Sequence, residues 1–243
     1  MKVAIHQPHY FPWIGYFDKM AKADAFILLD NVQLEKSSQM LRNKVLSKEG
    51  KEKYITIPGE KDDFLKRKYK DILTKDIEEW TNRQYRTLKD YYFTASYRDE
   101  TLDWLEEFFT NRYRTICEWT CASIELISRF LEIHTKIIMQ SNLDVDNKVQ
   151  KSDLVLELCK QVGADTYISG RGGSVKYLNR EAFQKQKIKL EFQEFIHPIY
   201  EQKNSAEFIS GISILDLFFN VGIENAKNIF WNNVEGRKSG DAI

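Results

Sequence analysis

Two short apolar runs within the first thirty residues constrain the fold of this chain more than any other feature. Val3–Ile5 and Ala25–Leu29 carry no charge and have the length of buried strands. Pro8 and Pro12 keep a helix from starting in the loop after the first run. Apolar residues then recur at helical spacing over Trp13–Lys22. A strand, a helix and a second strand of these lengths predict a βαβ unit with two parallel strands.

A helical stretch separates this unit from a second region of mixed strand and helix patterns. It covers Lys75–Ile133, where aromatic and aliphatic residues recur at mostly helical spacing. The remaining strand-like segments are Tyr54–Pro58, Lys136–Met139, Thr166–Ser169 and Ile188–Phe192. The remaining amphipathic segments, which predict helices, are Ser152–Val162, Ile212–Asn220 and Ala226–Trp231.

These patterns predict an α/β fold, with a Rossmann-like, mostly parallel sheet and a helical insertion. We expect residues 1–74 to form the N-terminal βαβ part of the α/β core and residues 75–133 to form the insertion. Residues 134–243 would form the C-terminal part of the core. A chain of 243 residues is long enough to bury such a core.

Charge and cysteine content narrow the functional classes. The 36 Lys and Arg balance 36 Asp and Glu, so no overall positive field favours nucleic acid as a partner. No apolar stretch reaches the roughly 20 residues of a membrane span, and the strand-like Lys2–Ile5 leaves no room for a signal peptide. The three cysteines indicate a reduced compartment, and Cys117 and Cys121 lack the His or Asp neighbours of a zinc site. We expect a cytoplasmic protein without a metal site; the sequence identifies no cofactor and is compatible with a homodimer.

Candidate catalytic residues follow the two strands of the βαβ unit. His6 stands at the carboxyl end of the first strand, His9 three residues later, and Asp30 at the end of the second. Ligands of open parallel sheets bind outside the carboxyl ends of strands, and neighbouring strands lie about 4.8 Å apart. We therefore predict a shared cleft in which His6 is the base or a phosphate ligand and Asp30 orients it or the sugar. The structural alternatives are that either histidine satisfies a buried backbone group and that Asp30 caps a turn.

Candidate binding residues lie in the loops that follow the predicted strands. Ser169–Ser174 contains three glycines, which let backbone N–H groups approach an anion, although the run matches neither G-x-G-x-x-G nor a Walker A sequence. A plain turn is the alternative interpretation. Arginine suits phosphate recognition, and tyrosine stacks on a base or sugar. The predicted substrate- and phosphate-binding residues are Gln7, Tyr10, Gln33, Lys36, Arg42, Asn43, Ser169, Gly170, Gly172, Tyr177, Tyr200 and Gln202.

Several blocks of the chain, in order and over nearly its whole length, resemble the WbqC-like family. The most specific block is His6–Phe17. The others are Ala23–Asp24, Asp30–Gln33, Arg42–Asn43, Tyr167–Gly170, Tyr177–Leu178, Tyr200–Gln202 and Leu215–Asn220 with Gly222. Members occur in bacterial gene clusters for O-antigen and related surface polysaccharides. The resemblance implies a transferase acting on a nucleotide-activated sugar, with acyl or aminoacyl transfer to an amino sugar as one form.

A weaker resemblance concerns the fold alone. The first strand, its Phe11–Pro12 loop, Gly15–Tyr16 and the helix and strand that follow are similar to the HIGH-type nucleotidyltransferases. In that superfamily loop histidines bind nucleotide phosphates, whereas Tyr16 stands here where the second histidine is expected. One alternative function is therefore a nucleotidyltransferase or adenylate-forming enzyme that uses ATP and Mg²⁺. Another is a non-catalytic partner that binds a nucleotide-sugar.

Overall fold

A computed structural model of the chain describes residues 1–34, 39–60, 66–146, 148–172 and 177–236. The strands are β1 (Lys2–His6), β2 (Ala25–Leu28), β3 (Arg42–Leu46), β4 (Glu52–Thr56), β5 (Lys136–Met139), β6 (Thr166–Ser169) and β7 (Lys189–Phe192). Five of them form a parallel sheet in the order β5-β2-β1-β6-β7, and β3 and β4 form an antiparallel hairpin. The predicted α/β class with a Rossmann-like, mostly parallel sheet is confirmed.

Helices connect and cover the strands. They are α1 (Ile14–Ala21), α2 (Ile77–Tyr91), α3 (Arg98–Thr110), α4 (Ile116–Phe130), α5 (Lys151–Gln161), α6 (Arg180–Lys185) and α7 (Leu215–Glu235). The predicted βαβ unit is present as β1-α1-β2, with His6 paired in register with Leu28. The helical stretch predicted from the sequence corresponds to α2, α3 and α4. Thr115 and Glu118 begin α4 with a reciprocal capping box, which satisfies backbone N–H groups of its first turn.

The order of the strands creates a switch point beside β1. From β1 the sheet grows through β2 to β5 on one side, and it grows through β6 to β7 on the other. The loops after β1 and β6 therefore leave the sheet as neighbours at its carboxyl edge. In open α/β sheets, this is where ligands bind.

The sheet separates two hydrophobic cores because successive side chains of a strand point to opposite faces. On one face, Ala4 and Phe26 pack with α1, α7 and the helices of the insertion. On the other, Val3 and Ile5 pack with α5 and α6. His6 follows Ala4 in this alternation and contacts Tyr16 of α1, at 4.8 Å between ring centroids.

The structure adds two elements that the sequence patterns did not predict. Strand β3 pairs with β4, which corresponds to the predicted strand at Tyr54–Pro58, and α6 precedes β7. The two terminal helices predicted from the sequence form one run, α7, that is interrupted at Gly222, where φ is +77°. Among the described residues, no helix is both long and apolar enough to cross a membrane.

Candidate functional site

Two adjoining cavities open at the carboxyl ends of β1 and β6, next to the switch point. One has a volume of about 680 Å³ and the other of about 410 Å³. Both are lined by His6, Lys19, Gly170 and Gly172. We call the space bounded by these four residues the cleft. Open α/β sheets bind their ligands at such an edge, so the cleft is the candidate site.

The loop between β1 and α1 is fixed from several directions. Asn43 Nδ2 donates hydrogen bonds to the carbonyl oxygens of Tyr10 and Phe11, at 3.2 and 2.7 Å. Ser213 Oγ donates to the same Phe11 oxygen at 2.8 Å, and Phe11 N donates to Ser123 Oγ at 3.1 Å. These bonds hold Phe11 in the left-handed region, with φ of 38°. The loop that carries the histidines is therefore preorganised.

Two predicted binding residues belong to this support rather than to the lining of the cleft. Asn43 is buried on β3, where it makes the bonds just described. The Tyr10 side chain is buried as well, and its hydroxyl donates to Gln84 Oε1 at 2.5 Å. Neither residue lines the two cavities of the cleft.

His6, His9 and Tyr16 form an aromatic cluster at one wall of the cleft. The ring centroids of His6 and His9 are 4.6 Å apart, and those of His9 and Tyr16 are 5.5 Å apart. His6 Nδ1 lies 3.0 Å from the carbonyl oxygen of Gln7, which also accepts a hydrogen bond from the Tyr16 hydroxyl at 3.1 Å. Because a carbonyl oxygen only accepts, His6 Nδ1 carries the hydrogen and Nε2 carries the lone pair.

Burial keeps both histidines neutral. Desolvation, with the nearby Lys19 charge as a second cause, lowers the pKa of His6 well below its usual range. The same two causes lower the pKa of His9 to about 3. His9 Nδ1 has no hydrogen-bond partner among the described residues.

Lys19 of α1 is a buried amine at the centre of the cleft. Its side chain lines both cavities, although the residue is only 3% exposed. Nζ donates to the carbonyl oxygen of Ile5 at 3.1 Å and lies 5.7 Å from the centroid of the Phe26 ring. Desolvation lowers the pKa of Lys19 to about 7.

The segment after β7 forms the outer wall and is tied to α1. Gln193 Nε2 donates to the carbonyl oxygen of Gly15 and to Asp18 Oδ2, both at 2.7 Å. The buried Asp18 carboxylate also pairs with Lys22 at 2.9 Å. Beyond Gln193, Trp13 packs edge-on against Phe195 at 5.1 Å between centroids. These contacts place an indole ring beside the cavity.

The loop after β6 supplies the opposite wall. Gly170 and Gly172 line both cavities, and a Cβ atom at either position would meet no protein atom within 4 Å. Arg171 between them pairs with Glu194 at 2.6 Å on the exposed rim. Ser169, a predicted binding residue, is buried, and its hydroxyl donates to the carbonyl oxygen of Gly170 at 3.2 Å. Tyr177, also predicted, is partly exposed and lines the smaller cavity, as does Gln7.

Asp30 follows the carboxyl end of β2, and its carboxylate is engaged by the segment after β5. Its two carboxylate oxygens accept hydrogen bonds from Ser141, one from the backbone N at 2.8 Å and one from Oγ at 2.5 Å. Asp30 is buried and lines neither cavity of the cleft. Within the described part of the chain, His6 lines the cavities together with Gly170 and Gly172, and its carbonyl oxygen accepts a hydrogen bond from Leu29 N at 2.9 Å. No hydrogen bond or ion pair of the described residues joins its side chain to Asp30.

The other predicted residues lie in different surroundings. Tyr200 and Gln202 donate to Asp216 Oδ2 at 2.9 and 2.8 Å, in a buried network near the start of α7. Arg42 on β3 stacks over the Tyr54 ring at 4.5 Å. Gln33 is exposed and forms an isolated antiparallel β-bridge with Lys68. The predicted binding residue Lys36, and Gly173 and Ser174 of the glycine-rich run, lie outside the described residues.

Sequence reasoning missed Lys19, Trp13 and Gln193 as parts of this site. One signal was present: Tyr16 and Lys19 are three residues apart on α1, so they share a helical face. The apolar pattern assigned only one face of α1 to the core, and a lysine was expected to face solvent. Lys19 contacts Ile5 on β1 and Phe26 on β2, and the cavities beside it are closed by the β6 loop and the segment after β7, more than 140 residues away in sequence.

Comparison with known proteins identifies a family and adds no activity. The family model described as "WbqC-like protein family" matches residues 7–228. "Uncharacterized protein Rv1507c" of Mycobacterium tuberculosis (strain ATCC 25618 / H37Rv) is 29% identical over 224 residues, which cover 92% of this chain and 95% of that protein. No solved structure matches the chain.

Proposed function

The chain belongs to the WbqC-like protein family, and on that premise we propose that it is a transferase acting on a nucleotide-activated amino sugar in surface polysaccharide biosynthesis. In this proposal an acyl or aminoacyl group is transferred to the sugar amine. We place the reaction in the cytoplasm, a reducing compartment in which the free thiols Cys117, Cys121 and Cys159 would persist. The homodimer stays a prediction, which light scattering at several protein concentrations tests.

The observation that carries the proposal is the position of the cleft. It lies at the switch point of a parallel sheet, between the loops after β1 and β6, where such sheets bind nucleotides. Its larger cavity, about 680 Å³, falls within the range of small-molecule sites. Lys19 supplies a cation and the Gly170–Gly172 loop an open backbone, both suited to a diphosphate. Trp13 and Tyr177 offer aromatic surfaces for a base or sugar.

The chemistry requires a base. When a neutral amine attacks an acyl carbon, a C–N bond forms, the bond to the donor's leaving group breaks, and the nitrogen must lose a proton. His6 is neutral and holds a lone pair at Nε2, since its Nδ1 hydrogen is engaged by the Gln7 carbonyl. We assign His6 as the acceptor of that proton and the Gln7–Tyr16 hydrogen bond as part of the support that orients it.

A ligand screen by thermal shift tests the binding part of this proposal. The panel is UDP, dTDP, GDP, their amino-sugar conjugates, and ATP with Mg²⁺, each at about 100 times an expected Kd. A ligand at that level stabilises the native state by about 2.7 kcal/mol, which raises Tm by roughly 5 to 10 °C for a chain of this length. We expect the largest rise with an amino-sugar conjugate.

A transfer assay tests the catalytic part. Incubation of the best amino-sugar conjugate with acyl and aminoacyl donors is followed by mass spectrometry of the sugar nucleotide. We expect His6→Gln to slow the mass gain by about 100-fold or more, as for loss of a general base. His134 is an exposed histidine outside the cleft, so His134→Gln is the matched control and should keep the wild-type rate.

The outcomes separate the alternatives. Stabilisation by ATP with Mg²⁺ and not by sugar nucleotides would favour the nucleotidyltransferase or adenylate-forming function. Binding of a nucleotide-sugar without turnover by any donor would favour a non-catalytic partner. No shift with any nucleotide would overturn both enzyme functions.

A further inference from the structure

We propose that Lys19 is the anion-binding residue of the cleft and that it takes up a proton from the buffer when an anionic ligand binds. The inference deepens the proposed function, on which it rests for the identity of the natural ligand. A sugar nucleotide would present its diphosphate to Lys19.

The surroundings of Lys19 are those of a cation without a counter-ion. It lines both cavities and is buried, yet none of the ion pairs within the described ranges includes it. The carboxylate on the same helix, Asp18, is engaged by Lys22 and Gln193. The acceptor of Lys19 is a backbone carbonyl, that of Ile5. Buried charges in proteins are ordinarily paired, so an anion entering the cleft would supply the missing partner.

The opposite wall leaves room for that anion. Among the described residues nothing lies within 4 Å of the Cβ position at Gly170 or Gly172, so these leave a ligand room beside the backbone. Arg171 is held at the rim by Glu194 and is exposed, which leaves Lys19 as the buried cation of the cleft among the described residues.

Burial makes the charge of Lys19 depend on its ligand. Without an anion, its pKa of about 7 leaves the amine half protonated at neutral pH. An anion at Nζ favours the charged form and raises that pKa, so binding at pH 8 must draw in a proton. The titratable and charged groups around Lys19 come from several elements. His6 lies on β1 and His9 in the loop that follows, and Tyr16, Asp18 and Lys22 lie on or beside α1. Tyr167 lies on β6, Arg171 and Tyr177 follow β6, and Glu194 follows β7. The low pKa values of His6 and His9 keep both imidazoles neutral from pH 6 to pH 8.

Calorimetric titration with sodium sulfate tests the inference on the full chain. Sulfate is a dianion that does not titrate near neutral pH, and sodium chloride keeps the ionic strength constant. Because the protonated fraction of a group with a pKa near 7 falls about tenfold from pH 6 to pH 8, we expect the sulfate Kd to rise about tenfold. Titrations at pH 8 in Tris and in HEPES, which differ in ionisation enthalpy, should show uptake of about 0.9 proton per sulfate.

Three variants identify the group responsible. Lys19→Met keeps an unbranched side chain in the buried position and should weaken sulfate binding at pH 6 at least tenfold. Lys19→Arg keeps a charge that does not titrate in this range, so it should bind sulfate without proton uptake. Lys48→Met, at an exposed lysine outside the cleft, is the matched control and should behave as wild type.

Several results would overturn the inference. They are no sulfate binding by the wild type, binding without proton uptake at pH 8, or proton uptake that persists in Lys19→Arg. The wild-type measurements decide even if a variant fails to fold. A sugar-nucleotide thermal shift that is equal in wild type and Lys19→Met would overturn this inference and leave the proposed function. Sulfate binding linked to proton uptake, without a rise in Tm for any nucleotide, would support this inference and overturn the proposed function.

Discussion

Three basic side chains at the cleft owe their chemistry to burial. His6, His9 and Lys19 each have a lowered pKa, and desolvation is the largest cause in every case. Removing a cationic group from water penalises its charged form, and each of these cations would also repel the others. The result at neutral pH is two neutral imidazoles beside an amine that is only half protonated. A site of this kind suits proton acceptance from an amine and charge-linked binding of an anion.

The lowered pKa of His9 leads to a prediction about stability in acid. The pKa of His9 is about 3 in the folded chain, below the value of about 6.5 for an exposed histidine. Between these values the unfolded chain binds more protons, so the free energy of unfolding is at its full value above pH 6.5 and falls as the pH drops towards 3. Each such histidine contributes a slope of up to about 1.4 kcal/mol per pH unit. Urea unfolding at pH 7, 6, 5 and 4 measures the slope.

Substitution assigns that slope to its residue. His9→Gln keeps a polar side chain without the titration, and we expect a shallower loss of stability below pH 6.5 than in the wild type. His134→Gln, at an exposed histidine, should run parallel to the wild type. Parallel curves for His9→Gln and wild type would show that His9 is protonated in the folded protein.

At the scale of elements, α1 is the piece on which the site is built. Seven of its eight residues, Ile14 to Met20, are buried, including Asp18 and Lys19. Because α1 is buried, its polar side chains contact different neighbours. Asp18 binds Gln193 and so holds the outer wall, whereas Lys19 enters the cleft. The support and the binding surface of the site thus come from consecutive residues.

A second element, α7, depends on a glycine at its interruption. Gly222 has φ of 77° and ψ of 172°, a conformation that residues with a side chain avoid. A Cβ atom there would lie 2.4 Å from Tyr97 Cδ1 and 2.9 Å from Glu100 Oε2, both of the α3 region. We expect Gly222→Ala to lower the free energy of unfolding by about 2 to 4 kcal/mol, through backbone strain and displacement of Tyr97.

Gly211 separates the two contributions. Its φ is 73°, and a Cβ atom there would meet nothing within 4 Å. Gly211→Ala should therefore report the strain alone, about 1 kcal/mol, in the same urea experiment. Equal losses for the two variants would contradict a steric role for Tyr97 and Glu100.

At the scale of the molecule, the helical insertion and the sheet share one core. Ala4 and Phe26 of the sheet belong to the same cluster of buried residues as Trp80 and Trp119 of the insertion. A second cluster, on the opposite face, contains Leu158 and Phe183. The division at residues 74 and 133 is therefore a proposal about chain organisation, and the shared core favours a single unfolding unit over separate ones.

Two buried thiols test this cooperativity. Cys117 lies on α4 in the insertion, and Cys159 lies on α5 behind the sheet. Pulse labelling of thiols across a urea series, read by mass spectrometry of peptides, gives one unfolding curve for each region. We expect the two midpoints to coincide and to match tryptophan fluorescence. Labelling of Cys117 at a clearly lower urea concentration would show that the insertion unfolds on its own.

Local patterns were enough to predict most of the elements and the position of His6. The apolar runs at Val3–Ile5 and Ala25–Leu29 predicted two parallel strands, and the position of His6 at the end of the first predicted its place at the sheet edge. The hairpin strand β3 escaped this reasoning because Arg42–Leu46 reads Arg-Asn-Lys-Val-Leu, with no apolar alternation to mark a strand.

The rest of the site depended on contacts between distant parts of the chain. The strand patterns contained no strand order, so they could not indicate that the loop of β6 would border the same cavities as His6. Asp30 is engaged by Ser141, 111 residues further along the chain, and the cavities that Lys19 lines are bounded by segments still more distant. Periodicity, proline and glycine act on neighbouring residues and are legible in the sequence. Burial, counter-ions and pKa values are set by whatever the fold brings next to a side chain, and the tertiary structure alone decides them.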